Sequence, residues 1–269
     1  MKKFLLLITT IITLYSCNSS SETVAPTVDS LNELINSIRD SIKLHPADTL
    51  AKYKLVLILQ DVGRYKEAVS VLDSMNISNT DSANTKTYYN YLFKRSELLM
   101  LAGDTTNAIK TLELFVIPGE LTEAGLRLAD LYAETKNPKT ISLCDAMNKN
   151  DASGHDPNPD YLKGVYYYNT EELEKALAQF NSCILKDYTF MDAYMEKGRI
   201  LYKQKKYQEA ITVYDLALKI SGSFADAYFW KAKCQEALGQ KPDAKLNYQR
   251  AYGLDKTLKE AKEAADNLK

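Results

Sequence analysis

Residues 191–220 read MDAYMEKGRILYKQKKYQEAITVYDLALKI and residues 225–254 read ADAYFWKAKCQEALGQKPDAKLNYQRAYGL. The two stretches carry one pattern. Tyr194 recurs as Tyr228, Ala210 as Ala244, Tyr214 as Tyr248 and Ala217 as Ala251, each 34 residues on. One step upstream, Gly164 precedes Gly198, Ala176 precedes Ala210, Phe180 precedes Tyr214 and Cys183 precedes Ala217 by the same interval. A fixed period of this length marks a repeat architecture, in which each unit buries its apolar face only against its neighbours. Inside a unit the period is helical, since Ala210, Val213, Tyr214, Ala217 and Leu218 fall on one stripe.

Composition agrees with an all-helical chain. Gly (10) and Pro (7) are scarce among 269 residues, half the usual combined usage of roughly 12%. Sheets need many turns, and turns consume these two residues. Charge is balanced, with 34 Lys and Arg against 35 Asp and Glu. The pI of about 6.2 argues against nucleic acid as a partner. His45 and His155 are the two histidines, and neither has a second ligand at metal spacing, so no zinc site is expected.

The pattern resembles the tetratricopeptide repeat (TPR) family. In that family small residues occupy positions 8, 20 and 27 of each repeat, and bulky residues positions 4, 11 and 24. The repeat beginning at Met191 supplies Gly198, Ala210 and Ala217, with Tyr194, Leu201 and Tyr214; Gly222 stands where proline is usual at position 32. Small residues let two antiparallel helices approach, and bulky ones fill the grooves between ridges. The resemblance implies an all-α fold, a right-handed α-α superhelix of about 14 helices. A leading helix spans 28–45. Repeats follow near 49–82, 89–121, 122–155, 157–190, 191–224 and 225–258, and a capping helix covers 259–269. The step from Ala68 to Ala108 is 40 residues, which places a longer loop around 76–84. The stretch 148–160, with Gly154, Pro157 and Pro159, reads as the weakest joint: a hinge, or a division into two lobes near residue 155. Its Asp151, Asp156 and Asp160 do not follow the calcium-loop spacing.

Residues 1–16 read as an export signal. Lys2 and Lys3 precede an apolar run from Phe4 to Leu14 that is too short to span a bilayer. Leu14-Tyr15-Ser16-Cys17 resembles the lipobox of bacterial lipoproteins, Tyr15 alone departing from the small-residue preference. The resemblance implies lipid attachment at Cys17; an ordinary signal peptide is the alternative. Residues 17–27 read as a flexible tether rich in Ser and Thr. Asn18 in place of Asp points to the outer membrane facing the periplasm, by resemblance to the enterobacterial sorting rule. The remaining Cys144, Cys183 and Cys234 read as small buried hydrophobes.

No Gly-rich phosphate loop, nucleophile elbow or HExxH motif is present, so neither catalysis nor a cofactor is expected. The resemblance implies binding of a protein or peptide segment in a groove lined by the first helix of each repeat. At its lining positions stand Tyr161, Tyr168, Arg199, Tyr202, Phe229 and Lys233. Aromatics beside cations are common anchors of recognition surfaces. Packing between adjacent helices is the alternative for each ring, and Trp230 reads chiefly as packing. The family's carboxylate clamp, Lys and Asn at positions 5 and 9 of neighbouring repeats, is absent, which speaks against capture of chaperone C-termini. The expected function is a membrane-anchored interaction scaffold or adaptor of the bacterial cell envelope. A structural subunit of an outer-membrane assembly or secretion complex is the alternative, and a glycan-binding lipoprotein a third reading.

Overall fold

The computed structural model describes residues 28–77 and 85–268. The export signal, Cys17, the tether and most of the 76–84 loop lie outside the described residues. All regular structure among the described residues is helical, in fourteen helices. None of these helices is long and apolar enough to cross a membrane. The chain divides into two units at Phe115 and Val116.

The first unit contains α1 (Val28–Leu44), α2 (Thr49–Asp61), α3 (Tyr65–Asp73), α4 (Thr85–Leu101) and α5 (Thr105–Glu113). Asp48 starts α2 by accepting from the Ala51 amide, and Asp104 starts α5 by accepting from the Asn107 amide. Ile35, Leu55, Val56, Leu59, Ala68, Leu72 and Leu98 form its core. Three arginines tie the helices at the rim. Arg39 of α1 and Arg64 at the α2–α3 turn share the Glu67 carboxylate of α3. Arg95 of α4 grips Asp73 of α3 (2.9 Å) and Thr111 of α5 (2.6 Å). A planar fork of donors suits this three-helix junction, which one lysine amine would serve poorly.

The second unit contains α6 (Glu123–Glu134), α7 (Lys139–Asn150), α8 (Asn158–Asn169), α9 (Leu173–Lys186), α10 (Met191–Lys203), α11 (Tyr207–Ile220), α12 (Ala225–Ala237), α13 (Lys241–Leu254) and α14 (Lys259–Asn267). The 34-residue period is its packing rule. Ala176, Ala210, Ala244, Cys183, Ala217 and Ala251 are fully buried. A Cβ on Gly164 would meet the Phe180 ring at 2.5 Å, so the backbone of α8 lies directly on that ring. Burying such a ring contributes about 1.5–3 kcal/mol. At the far end Ala261, Ala265 and Leu268 cover Phe229, Tyr248 and Ala251, closing the last apolar face as repeat stacks require.

The turns inside the pairs share one conformation. Gly63, Gly103, Lys136, Glu171, Lys205 and Gly239 all take positive φ, between 57° and 76°. The left-handed residue lets the chain reverse within a few residues, and non-glycine residues adopt it at a cost.

The expected joint at 148–160 is not where the chain divides. Buried Asp160 is its knot, accepting from Asn148 and Ser182 (both 2.7 Å) and pairing with Lys186 (3.0 Å) and Lys163 (3.3 Å). Burial alone would raise this carboxyl. The hydrogen bonds from Ser182, Lys186 and Asn148 outweigh burial and hold it below the ordinary range. One carboxylate thus fastens α7, α8 and α9 together. Asp151 turns the loop by accepting from Ser153 and the Asp156 amide, and Pro159 sits at the start of α8, where a missing N–H costs little.

Candidate functional site

The helices α8, α10 and α12 are the first helices of the last three pairs, and they carry every residue expected on the groove. The arrangement centres on a residue that the sequence reads chiefly as packing. Trp230 of α12 lies under the Arg199 guanidinium (5.2 Å) and the Lys233 ammonium (5.2 Å). Tyr202 meets the same indole edge-on at 5.6 Å, and Phe229 meets it at 5.9 Å. Cations over an aromatic face gain about 0.5–1 kcal/mol each when exposed and more when desolvated.

The two cations are held by acids. Arg199 donates to Glu196 at 2.7 Å, and Lys233 to Glu260 of α14 at 3.0 Å. The Arg199 Nε is buried without a hydrogen-bond partner among the described residues. A buried donor left without an acceptor costs about 1–3 kcal/mol.

The other expected residues divide. Tyr202 is partly exposed and also packs on Tyr207 at 5.3 Å. Burial raises its phenol while Lys233 opposes the rise. Tyr168 is partly exposed under the Lys203 ammonium (5.5 Å). Tyr161 is turned toward packing, against Phe180 (5.7 Å) and Phe190 (5.3 Å), and burial raises its phenol, with Glu196 and Asp192 adding to the shift. Phe229 takes the packing alternative. It is 7% exposed, lies 5.8 Å from Tyr248 and belongs to the terminal core. The surface is therefore Tyr168, Arg199, Tyr202, Trp230 and Lys233, with Tyr161 and Phe229 beneath it.

Charge changes sign along these helices. Asp130 of α6 occupies the repeat position held by Arg199 and Lys233 further on. Burial pushes its carboxyl up to about 6, Glu134 adds to the rise and Arg127 opposes it. This face therefore carries an acidic group in α6 and cations with aromatics in α10 and α12.

A second row went unread in the sequence. Where each first helix meets the second helix of the preceding pair, a lysine crosses over. Lys163 reaches Asp145 (3.0 Å), Lys197 reaches Asn181 (2.7 Å) and Lys231 reaches Asp215 (2.6 Å). The signal was present, since Lys163, Lys197 and Lys231 lie 34 residues apart. Cys144, Cys183 and Cys234 are buried free thiols, each pushed up to about 12 by burial.

Comparison with known proteins accounts for the geometry. Residues 198–239 match the family described as TPR repeat, and residues 226–254 match the one described as tetratricopeptide repeat. The chain is 28% identical to Hsp70-Hsp90 organizing protein 1 of Glycine max over 221 residues, 77% of this chain and 34% of that one. It is 31% identical to the Hsp70-Hsp90 organizing protein of Triticum aestivum over 137 residues, 51% of this chain and 22% of that one. The chain thus spans about a third or less of these relatives. A tetratricopeptide repeat protein from Parabacteroides merdae ATCC 43184 superposes with a TM-score of 0.61 at 18% identity, covering 88% of this chain and 92% of that one. The chain is an all-helical solenoid of the TPR type, as its period implied.

Proposed function

We propose that this TPR solenoid is a protein-binding adaptor held at the membrane of a bacterial cell envelope. The observation that carries the binding reading is the Trp230 cluster. Two cations, an indole and two tyrosines form one partly exposed surface on consecutive first helices. Such a surface suits a protein segment bearing acidic and aromatic or apolar side chains. The relatives from soybean and wheat are named as organisers of two other proteins, which supports an adaptor role. Tyr161, Met195 and Phe229 stand where the family's carboxylate clamp has lysine, so the partner is not a chaperone C-terminus.

The membrane address rests on the sequence. Lys2, Lys3, the apolar run to Leu14 and the lipobox-like Leu14-Tyr15-Ser16-Cys17 support export and acylation at Cys17. Asn18 supports the outer membrane, with the repeats facing the periplasm.

Two experiments test the reading. In-cell crosslinking with partner identification is compared between the parent chain and an Arg199→Glu, Tyr202→Ala variant. Loss of the crosslinked partner with an unchanged helical spectrum is expected; equal capture by the variant moves the site off this face. Cys17→Ala is expected to abolish palmitate labelling and to release the chain from membranes, and persistent labelling refutes the lipid anchor.

A further inference from the structure

A cleft of about 430 Å³ lies on α11, α12 and α13, and it shares no residue with the Trp230 cluster. Its wall carries Lys219, Lys231 and Arg250 against one carboxylate, Asp215. Lys231 is already matched by Asp215 at 2.6 Å. Arg250 lies over the Tyr228 ring at 5.7 Å and makes no ion pair among the described residues. Neither does Lys219. The cleft therefore presents two uncompensated positive charges, with Tyr228 and the exposed Leu216 as an apolar wall.

The repeat itself provides a control. Thirty-four residues upstream, Tyr228 corresponds to Tyr194 and Lys231 to Lys197, so these two belong to the scaffold. Lys219 corresponds to Leu185, Arg250 to Leu216 and Asp215 to Asn181. Leu185 is 87% exposed in that setting, so packing imposes no cation there. The charges of the last cleft are additions to the scaffold.

We propose that this cleft binds a phosphomonoester dianion carried on an apolar or aromatic body. A phosphomonoester carries nearly two negative charges at neutral pH, which matches the two unpaired cations; a carboxylate neutralises only one. Arg250 offers a fork of donors to the phosphoryl oxygens, and Lys219 adds a mobile point charge. The volume lies within the range of small-molecule sites, and the apolar wall takes the body of the ester.

Isothermal titration of the full chain with phenyl phosphate tests the proposal. Saturable binding is expected, weakened at least tenfold by Lys219→Glu with Arg250→Glu while the helical spectrum stays unchanged. Phenylacetate and inorganic phosphate are each expected to bind at least fivefold more weakly, the first for its single charge and the second for its missing body. Leu185→Ala, in the neutral counterpart of the cleft, is expected to leave the affinity unchanged. Absence of saturable binding, equal binding by the charge-reversed variant, or equal affinity for phenylacetate overturns the proposal. Saturable phenyl phosphate binding accompanied by co-sedimentation with phosphatidic acid vesicles, both lost on the same charge reversal, assigns the ester to a lipid headgroup.

Discussion

The backbone of Gly198 rests against the ring of Tyr214. A Cβ at that glycine would fall inside the ring, against its outer carbons and hydroxyl. The same contact joins Gly164 to Phe180 one repeat earlier. Gly198→Ala must therefore displace a fully buried ring, and a loss of about 1–3 kcal/mol is expected by thermal unfolding. Tyr214 also carries a buried hydroxyl without a hydrogen-bond partner among the described residues. Tyr214→Phe is expected to leave stability unchanged or raise it by up to about 1 kcal/mol, because an unsatisfied group is removed. A clear loss from Tyr214→Phe would show that the hydroxyl is bonded.

Asp130 makes stability depend on pH in an unusual direction. Its folded pKa, about 6, lies above the ordinary aspartate value. The proton is thus held more tightly in the folded chain. That contribution is complete below about pH 4 and is lost as pH rises through 6. Asp130→Asn should melt higher than the parent at pH 7.5, and the difference should vanish at pH 4. Parallel melting curves at both pH values would contradict the assignment.

The left-handed turn residues offer a paired test. Gly239 has φ of 75° with open space where a Cβ would stand, so Gly239→Ala carries a purely conformational cost of about 1 kcal/mol. Lys205 holds φ of 61° at the equivalent turn. Lys205→Gly is expected to gain up to about 1 kcal/mol, reduced by the greater freedom glycine gives the unfolded chain. Denaturant midpoints moving in opposite directions check the pair.

The lysine row has one neutral rung. Lys197 meets Asn181 where Lys163 and Lys231 meet aspartates, and burial lowers its amine. Asn181→Asp should stabilise the chain by about 0.2–1 kcal/mol and raise the Lys197 pKa. A double-mutant cycle with Lys197→Met isolates the pair, and no coupling means the row is decorative.

Trp230 is the one tryptophan of the chain, so its emission reports the proposed binding face directly. Partner binding should shift that emission. Trp230→Ala should weaken binding by about 2 kcal/mol, roughly thirtyfold in Kd. An unchanged affinity would move the anchor elsewhere.

The packing skeleton was legible because close helix contact leaves few choices. Ala210 and Tyr214 recur every 34 residues since each pair needs the same gap and the same filling. Trp230 read chiefly as packing because it breaks the period, standing where Glu196 stands one repeat earlier, so no equivalent residue showed that cations gather on its face. Phe229 takes the packing alternative, beneath Lys233 and against Tyr248, as its equivalents Met195 and Tyr161 do in the two repeats before it. At 148–160 Gly154, Pro157 and Pro159 signal a break in the chain, whereas Asp160 bridges it through partners 12 and 22 residues away. Contacts of that range leave no local pattern.

The three buried thiols have a practical consequence. Cys144, Cys183 and Cys234 lie in α7, α9 and α12, each shielded and protonated while its helix stays packed. A thiol-selective reagent reacts with the thiolate, so alkylation waits for each helix to open. Mass-resolved labelling against time would then rank the opening of three successive stations along the second unit, with no engineered probe.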